Sequence, residues 1–206
     1  MFRGLAVLAI AACCAHAQDE RRITSPNGQL EFRVFVAQSD QGGLSRLAYE
    51  ILSRGKTVVK TSYLGLLIHN QEPILGQNVG LMSAKTTSGA GYRGLIADYM
   101  QNGSIGRRLD LEVRVFDDGV AFRYVVPPSI ALDEILIDDE LTEFDTAGDI
   151  RVSEVPRAGF PKMSLIDGEE HVRTTQLAQP FTGNTPLVCP WRVIAVAPNF
   201  SPDLGK

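Results

Sequence analysis

Arg107 to Pro127 reads RRLDLEVRVFDDGVAFRYVVP, and this stretch decides the fold class. Leu109, Leu111, Val113 and Val115 alternate with Asp110, Glu112 and Arg114, so a strand here carries one apolar and one charged face. Asp117-Asp118-Gly119 interrupts the alternation, and Asp-Gly is the dipeptide that supplies positive φ angles to a tight primed turn. The return strand, Val120 to Val126, brings Phe122, Tyr124 and Val126 to one side. The spacing predicts a β-hairpin whose apolar face must find cover.

The same pattern runs outward from the hairpin. Ser25-Pro26-Asn27-Gly28 predicts a turn, followed by Leu30, Phe32, Val34 and Val36 at a two-residue period. Leu47, Tyr49 and Ile51 repeat it, and Ser53-Arg54-Gly55-Lys56 turns the chain into Thr57-Val58-Val59. Further strands are expected at 64–68, 74–81, 132–137 and 141–144, with a long loop within the Gly-rich, polar stretch Gly89 to Gly106. Pro198 to Asp203 reads as an exit loop. No 3.6-residue period persists beyond about two turns. Many short strands with turn signals predict an all-β chain, a large antiparallel β-sandwich, in one domain without linker or repeat.

The first residues, MFRGLAVLAIAACCAHAQ, have the layout of an export signal. Arg3 is the positive region, Leu5 to Ala12 the apolar region, and Ala15-His16-Ala17 an A-x-A cleavage site. Cleavage there removes residues 1–17 as a signal peptide and leaves 18–206 as the domain. The alternative is a lipoprotein, because Ile10-Ala11-Ala12-Cys13 is a loose lipobox that would make Cys13 an acylated N-terminus. Both routes predict a periplasmic or secreted protein. On the first, Cys189 is left alone, so no intramolecular disulfide and no C-x-x-C metal site can form. Flanked by Val188 and Pro190, it reads as a buried, inert thiol. The net charge of −4 is spread over short clusters with no basic stripe, which excludes nucleic acid as a partner. No second apolar run reaches spanning length, so no transmembrane segment is expected after cleavage.

The run RVFDDGVAFRYVVP closely resembles the hairpin R-x-[FY]-D-D-G-[VI]-A-F-R-Y in the N-terminal domain of glycoside hydrolase family 97, a family of bacterial α-glucosidases and α-galactosidases. Ser25-Pro26-Asn27-Gly28 with Leu30, Gly55-Lys56 with Val58, Leu64-Gly65-Leu66, Thr142-Glu143-Phe144 and Pro190-Trp191-Arg192-Val193-Ile194 are similar to further pieces of that domain, in its order. The resemblance implies a super-sandwich of the galactose-mutarotase-like kind. Ser153 to Met163 lines up with the family's H-E-A-A-L-V-D-Y-P-G-M, whose Glu is a calcium ligand contributed to the active site of a catalytic barrel. Glu154 thereby inherits the role of metal ligand, with calcium as the implied ion; the other reading is a surface glutamate at a strand end. Ser153, Val155-Pro156 and Gly159 depart from the motif, while Glu154, Pro161 and Met163 are retained. Only Asp145 to Ile150 fills a space where the family carries a W-x-[IP]-P segment.

The family's catalytic residues would lie beyond Lys206, so no catalytic residue is assigned. The reading that follows is a non-catalytic N-terminal domain of a family 97 α-glycosidase, truncated or separately encoded. It would support binding of an α-glucoside or α-galactoside and a calcium-containing site in the barrel. The alternative is an independent exported carbohydrate-binding module, and a third reading is a structural sandwich without ligand. An accessory domain should expose an apolar patch, whereas a self-sufficient binder should expose a polar, aromatic-lined groove.

Other constellations read as structural. Asp138-Asp139-Glu140 with Glu143 and Asp145, and Asp167-Gly168-Glu169-Glu170, could each supply a glycosidase carboxylate pair, but read as solvated acidic turns. His69 and His171 have no ligand at zinc spacing, no nucleophile-elbow motif occurs, and Gly103-Ser104-Ile105-Gly106 reads as a loop. Trp191, the sole tryptophan, is expected in the core rather than as a sugar platform. Arg192 beside it could meet a carboxylate bidentately at a domain interface.

Overall fold

The computed structural model describes residues 18–38, 43–103, 106–129, 133–168 and 171–205, so residues 1–17, where a signal peptide is expected, lie outside the described residues. Among the described residues every regular element is a strand. In chain order these are β1 (Gln18–Thr24), β2 (Leu30–Ala37), β3 (Arg46–Ser53), β4 (Lys56–Tyr63), β5 (Leu66–Ile68), β6 (Gln71–Leu75), β7 (Val79–Gly89), β8 (Tyr92–Gln101) and β9 (Arg108–Phe116). There follow β10 (Gly119–Val126), β11 (Glu134–Glu140), β12 (Glu143–Asp145), β13 (Arg151–Val155), β14 (Met163–Asp167), β15 (Val172–Leu177), β16 (Phe181–Asn184), β17 (Leu187–Val188) and β18 (Trp191–Ala195).

The hairpin forms the middle of a seven-stranded sheet, ordered β13-β18-β10-β9-β8-β7, with β17 on the far end of β10. Opposite it lie β1-β2-β3-β4, then β16-β11-β5-β6, and the small sheet β12-β15-β14. All these pairings are antiparallel. Two-residue alternation makes the layers stick: Leu109, Leu111, Val113 and Val115 are buried against Phe32, Val34, Tyr49 and Ile51 in one continuous core. Rings cross between the layers, with Phe122 5.1 Å from Tyr49 and 6.1 Å from Phe32 between centroids. The expected all-β sandwich is the observed fold.

The seven-stranded sheet is apolar on both faces, a feature the alternation only half reveals. On its outer face Phe116, Ala121, Trp191, Val193 and Ala195 form a second cluster with Phe200 and Leu204. The expected C-terminal exit loop therefore folds back across the sheet, and Arg114 donates to the Leu204 carbonyl at 2.8 Å to hold it.

This packing also corrects the turn. Asp117 and Asp118 join β9 to β10, but none of Asp117, Asp118 and Gly119 has a positive φ. The glycine serves close approach instead: a Cβ on Gly119 would lie 2.2 Å from the Phe200 ring and 2.8 Å from the Ile194 carbonyl oxygen. The Asp118 carbonyl accepts the N–H groups of Val196 and Ala197, each at 3.0 Å, so the turn anchors the returning segment. Primed geometry appears instead in the β3–β4 hairpin, where Arg54 and Gly55 have φ of 50° and 77°.

Two further expectations change. Gly89 to Gly106 is mostly strand, because Leu95, Ala97 and Tyr99 alternate inward along β8. The strand expected over 74–81 divides into the end of β6 and the start of β7, around Gly76 at φ 113°, where any Cβ would meet the Leu64 carbonyl at 2.9 Å.

Candidate functional site

Strand β13 lies at the edge of the seven-stranded sheet, and its Glu154 is paired in register with Arg192 of β18. Residues of β18 alternate between the two clusters. Trp191, Val193 and Ala195 join the outer one, while Ile194 joins the core. Arg192 is turned inward with Ile194 and is only 1 % exposed.

A guanidinium so deeply buried must find carboxylate partners. Its Nη2 donates to Glu140 Oε2 at 2.5 Å and its Nε to Oε1 at 3.0 Å, a bidentate pair that joins the two layers. Burial works against the Arg192 charge, but Glu140 overrides it and holds the guanidinium above its ordinary range. A chain of donors completes Glu140: Gly65 N–H to the Tyr124 oxygen at 3.2 Å, Tyr124 O–H to Thr142 Oγ1 at 2.6 Å, and Thr142 O–H to Glu140 Oε1 at 2.7 Å. Burial, and then the Glu140 charge, push the Tyr124 phenol up, so it stays protonated and can donate.

The third nitrogen of Arg192 reaches outward. Nη1 donates to Glu154 Oε2 at 3.3 Å, and the Met163 N–H donates to Oε1 at 3.4 Å. Both contacts are long, and the Glu154 side chain keeps 20 % of its exposure. It borders a cleft of about 150 Å³ lined with Met163, Ser164, Leu165, Thr175 and Arg192. Leu165, 37 % exposed, adds apolar surface to it. Glu154 is thus a carboxylate steered from behind and open in front.

Calcium requires six to eight oxygens. Among the described residues no group of three or more His, Cys, Asp or Glu comes together, and the nearest strong charge to Glu154 is a cation. The described residues therefore do not fit a calcium cage by themselves; Glu154 can be at most one ligand of a set completed from elsewhere.

The acidic run 138–145 is no solvated turn. A bulge between Ile137 and Asp139 shifts the strand parity, so Glu140 rather than Asp139 turns into the core. Glu143 lies 3.3 Å from Arg46, and Asp145 3.1 Å from Lys60. Glu169 and Glu170 lie outside the described residues. The fold brings Asp138 to 3.0 Å from His69 Nδ1, a pairing invisible in the sequence spacing, but only the pair is present. Cys189 is buried without a disulfide, and burial pushes its thiol up, so it is inert as expected.

Trp191 is buried as expected, though in the outer cluster rather than between the layers. The guanidiniums of Arg114 and Arg123 lie 4.7 Å and 4.3 Å from its ring. At 4 % exposure it offers no face on which a sugar could stack. Arg192 does meet a carboxylate bidentately, but within the chain. Its partner Glu140 escaped sequence reasoning because a bulge leaves no trace in residue spacing. The only signal was the charge of Arg192 inside an apolar run.

The family model described as Glycosyl-hydrolase 97 N-terminal matches residues 23–154. Solved structures share the fold. A glycoside hydrolase family 97 enzyme from Pseudoalteromonas sp. strain K8, in complex with panose, has a TM-score of 0.73 at 18 % identity, over 85 % of this chain and 35 % of that one. The acarbose complex of an enzyme of the same family and source gives 0.71 with the same identity and coverage. A β-arabinopyranosidase gives 0.73 at 17 % identity, over 87 % of this chain and 40 % of that one. The chain thus spans between about one third and two fifths of the length of these structures. No curated protein matches it.

Proposed function

The chain belongs to the glycoside hydrolase 97 N-terminal family, and from that membership we propose that it is a non-catalytic sandwich that docks on an α-glycosidase barrel and presents Glu154 to a calcium site there. The observation that carries this reading is Glu154 itself. It stands on an edge strand, accepts a hydrogen bond from Arg192, which Glu140 fixes from behind, and is bordered by the exposed Leu165. A carboxylate with one open side and an apolar rim suits a ligand shared across a domain junction. The buried Trp191 weighs against a self-sufficient sugar-binding groove. The sequence of residues 1–17 supports export to the periplasm or beyond.

In this role the domain would shape one wall of a sugar pocket, and the panose and acarbose complexes of the family 97 enzymes support an α-glucoside-like substrate class. Residues 18–206 expressed alone, with calcium present, should not hydrolyse aryl α-glucosides or α-galactosides and should give no saturable heat with calcium or maltooligosaccharides. Turnover that survives rigorous purification would overturn the non-catalytic reading. Saturable heat with maltooligosaccharides would favour the independent binding module instead.

A further inference from the structure

On the outer side of the same sheet edge lies a cavity of about 620 Å³, walled by Arg123, Val155, Pro156, Arg157, Pro190 and Trp191. Its chemistry is one-sided: two guanidiniums line it and, among the described residues, no carboxylate does. Arg123 bonds Glu112 through Nε at 2.7 Å, which occupies one of its five N–H donors. Arg157 is exposed, and its guanidinium makes no ion pair or hydrogen bond with any described residue. Trp191 has no acceptor for its indole N–H among the described residues, although the side chain is buried. The rest of the wall is apolar, and Val155 is 39 % exposed.

We propose that this cavity binds a small organic carboxylate, its charged end between Arg123 and Arg157 and its apolar body against Val155, Pro156 and Pro190. A guanidinium fork matches the two oxygens of a carboxylate, and apolar walls strengthen the attraction by excluding water. A bare inorganic anion would leave those walls wet and gain nothing from them. The site is separate from Glu154, which faces the other side of β13, so it does not depend on docking or calcium.

Trp191 is the only tryptophan of the chain, so its emission reads this cavity directly. Residues 18–206 are titrated at constant ionic strength with 4-methylpentanoate, with its uncharged amide and with sulfate, by fluorescence and by calorimetry in parallel. The acid should bind saturably, the amide should not, and sulfate should bind more weakly than the acid. Arg157→Gln, at an exposed position, should retain the wild-type circular dichroism and Tm yet weaken the acid about tenfold or more. Absence of saturable binding by both methods would overturn the proposal. So would equal binding of the amide, sulfate binding tighter than the acid, or undiminished affinity in the folded Arg157→Gln protein.

Discussion

Asp110 faces Asp98 across the β8–β9 pairing, and Arg108 serves only one of them. Its Nη2 and Nε lie 2.6 Å and 3.2 Å from the Asp98 oxygens, while Asp110 Oδ1 has no partner among the described residues. Burial, and then the neighbouring Asp98 charge, raise the Asp110 carboxyl to about 6. A carboxyl raised above its unfolded value of about 3.9 contributes stability fully below that value. The contribution fades as pH climbs through 6. Asp110→Asn should therefore flatten the fall in urea-unfolding free energy between pH 4 and pH 7 and stabilise the protein at pH 7 by ~1 kcal/mol, after allowance for solvent screening. A variant no more stable than wild type at pH 7 would refute the paired-carboxylate account. Arg192 is the opposite case, a charge whose partner is satisfied. Arg192→Met should cost ~3–5 kcal/mol because it strands the buried Glu140, and Glu140→Leu added to it should recover much of that loss. Chemical denaturation of the single and double variants reads both, and a mild single loss would mean that Glu140 finds another route to solvent.

At the scale of elements, the β9–β10 hairpin shows what alternation can and cannot reveal. Leu109 through Val115 fill the core as their period demands, but the Asp-Gly signal implied φ angles that the turn does not adopt. Gly119 is required by the Phe200 ring, 81 residues distant in sequence, and local turn chemistry cannot register so remote a neighbour. The same limit hid the outer cluster, since Phe200 and Leu204 are legible as core only once the seven-stranded sheet exists. It hid Glu140 too, because a bulge changes parity without changing composition. Glu154 was legible only through a resemblance, whereas the guanidinium that steers it could be found only by pairing β13 with β18. Gly119→Ala follows from this account. It should destabilise by ~1–3 kcal/mol through overpacking and open the segment after Val196 to limited proteolysis. A cleavage pattern identical to wild type would show that Phe200 can turn aside without releasing that segment.

Over the whole molecule, the sandwich must manage edges as well as faces. β7 closes one end of the seven-stranded sheet, and from Met82 to Thr86 every residue is exposed, so the strand overhangs the core with both faces wet. Such an edge is a template for another strand, and an antiparallel copy of itself is the self-complementary choice. Lys85 stands in the middle of the overhang, where self-pairing about that point would set it opposite its own copy and bury two like charges side by side. The neighbouring Ser83, Thr86 and Thr87 have no such repulsion, and Met82, 58 % exposed, would favour contact. One lysine thus places a repulsive charge at the centre of a long, β-prone edge. Lys85→Val should leave the fold intact, because the side chain contributes nothing to the core, yet shift sedimentation velocity profiles toward dimers and larger species as concentration rises. Lys85→Glu should not, since it keeps the repulsion with reversed sign. If the valine variant sediments as wild type at every concentration, the overhang is protected by its twist or by its solvated backbone rather than by charge.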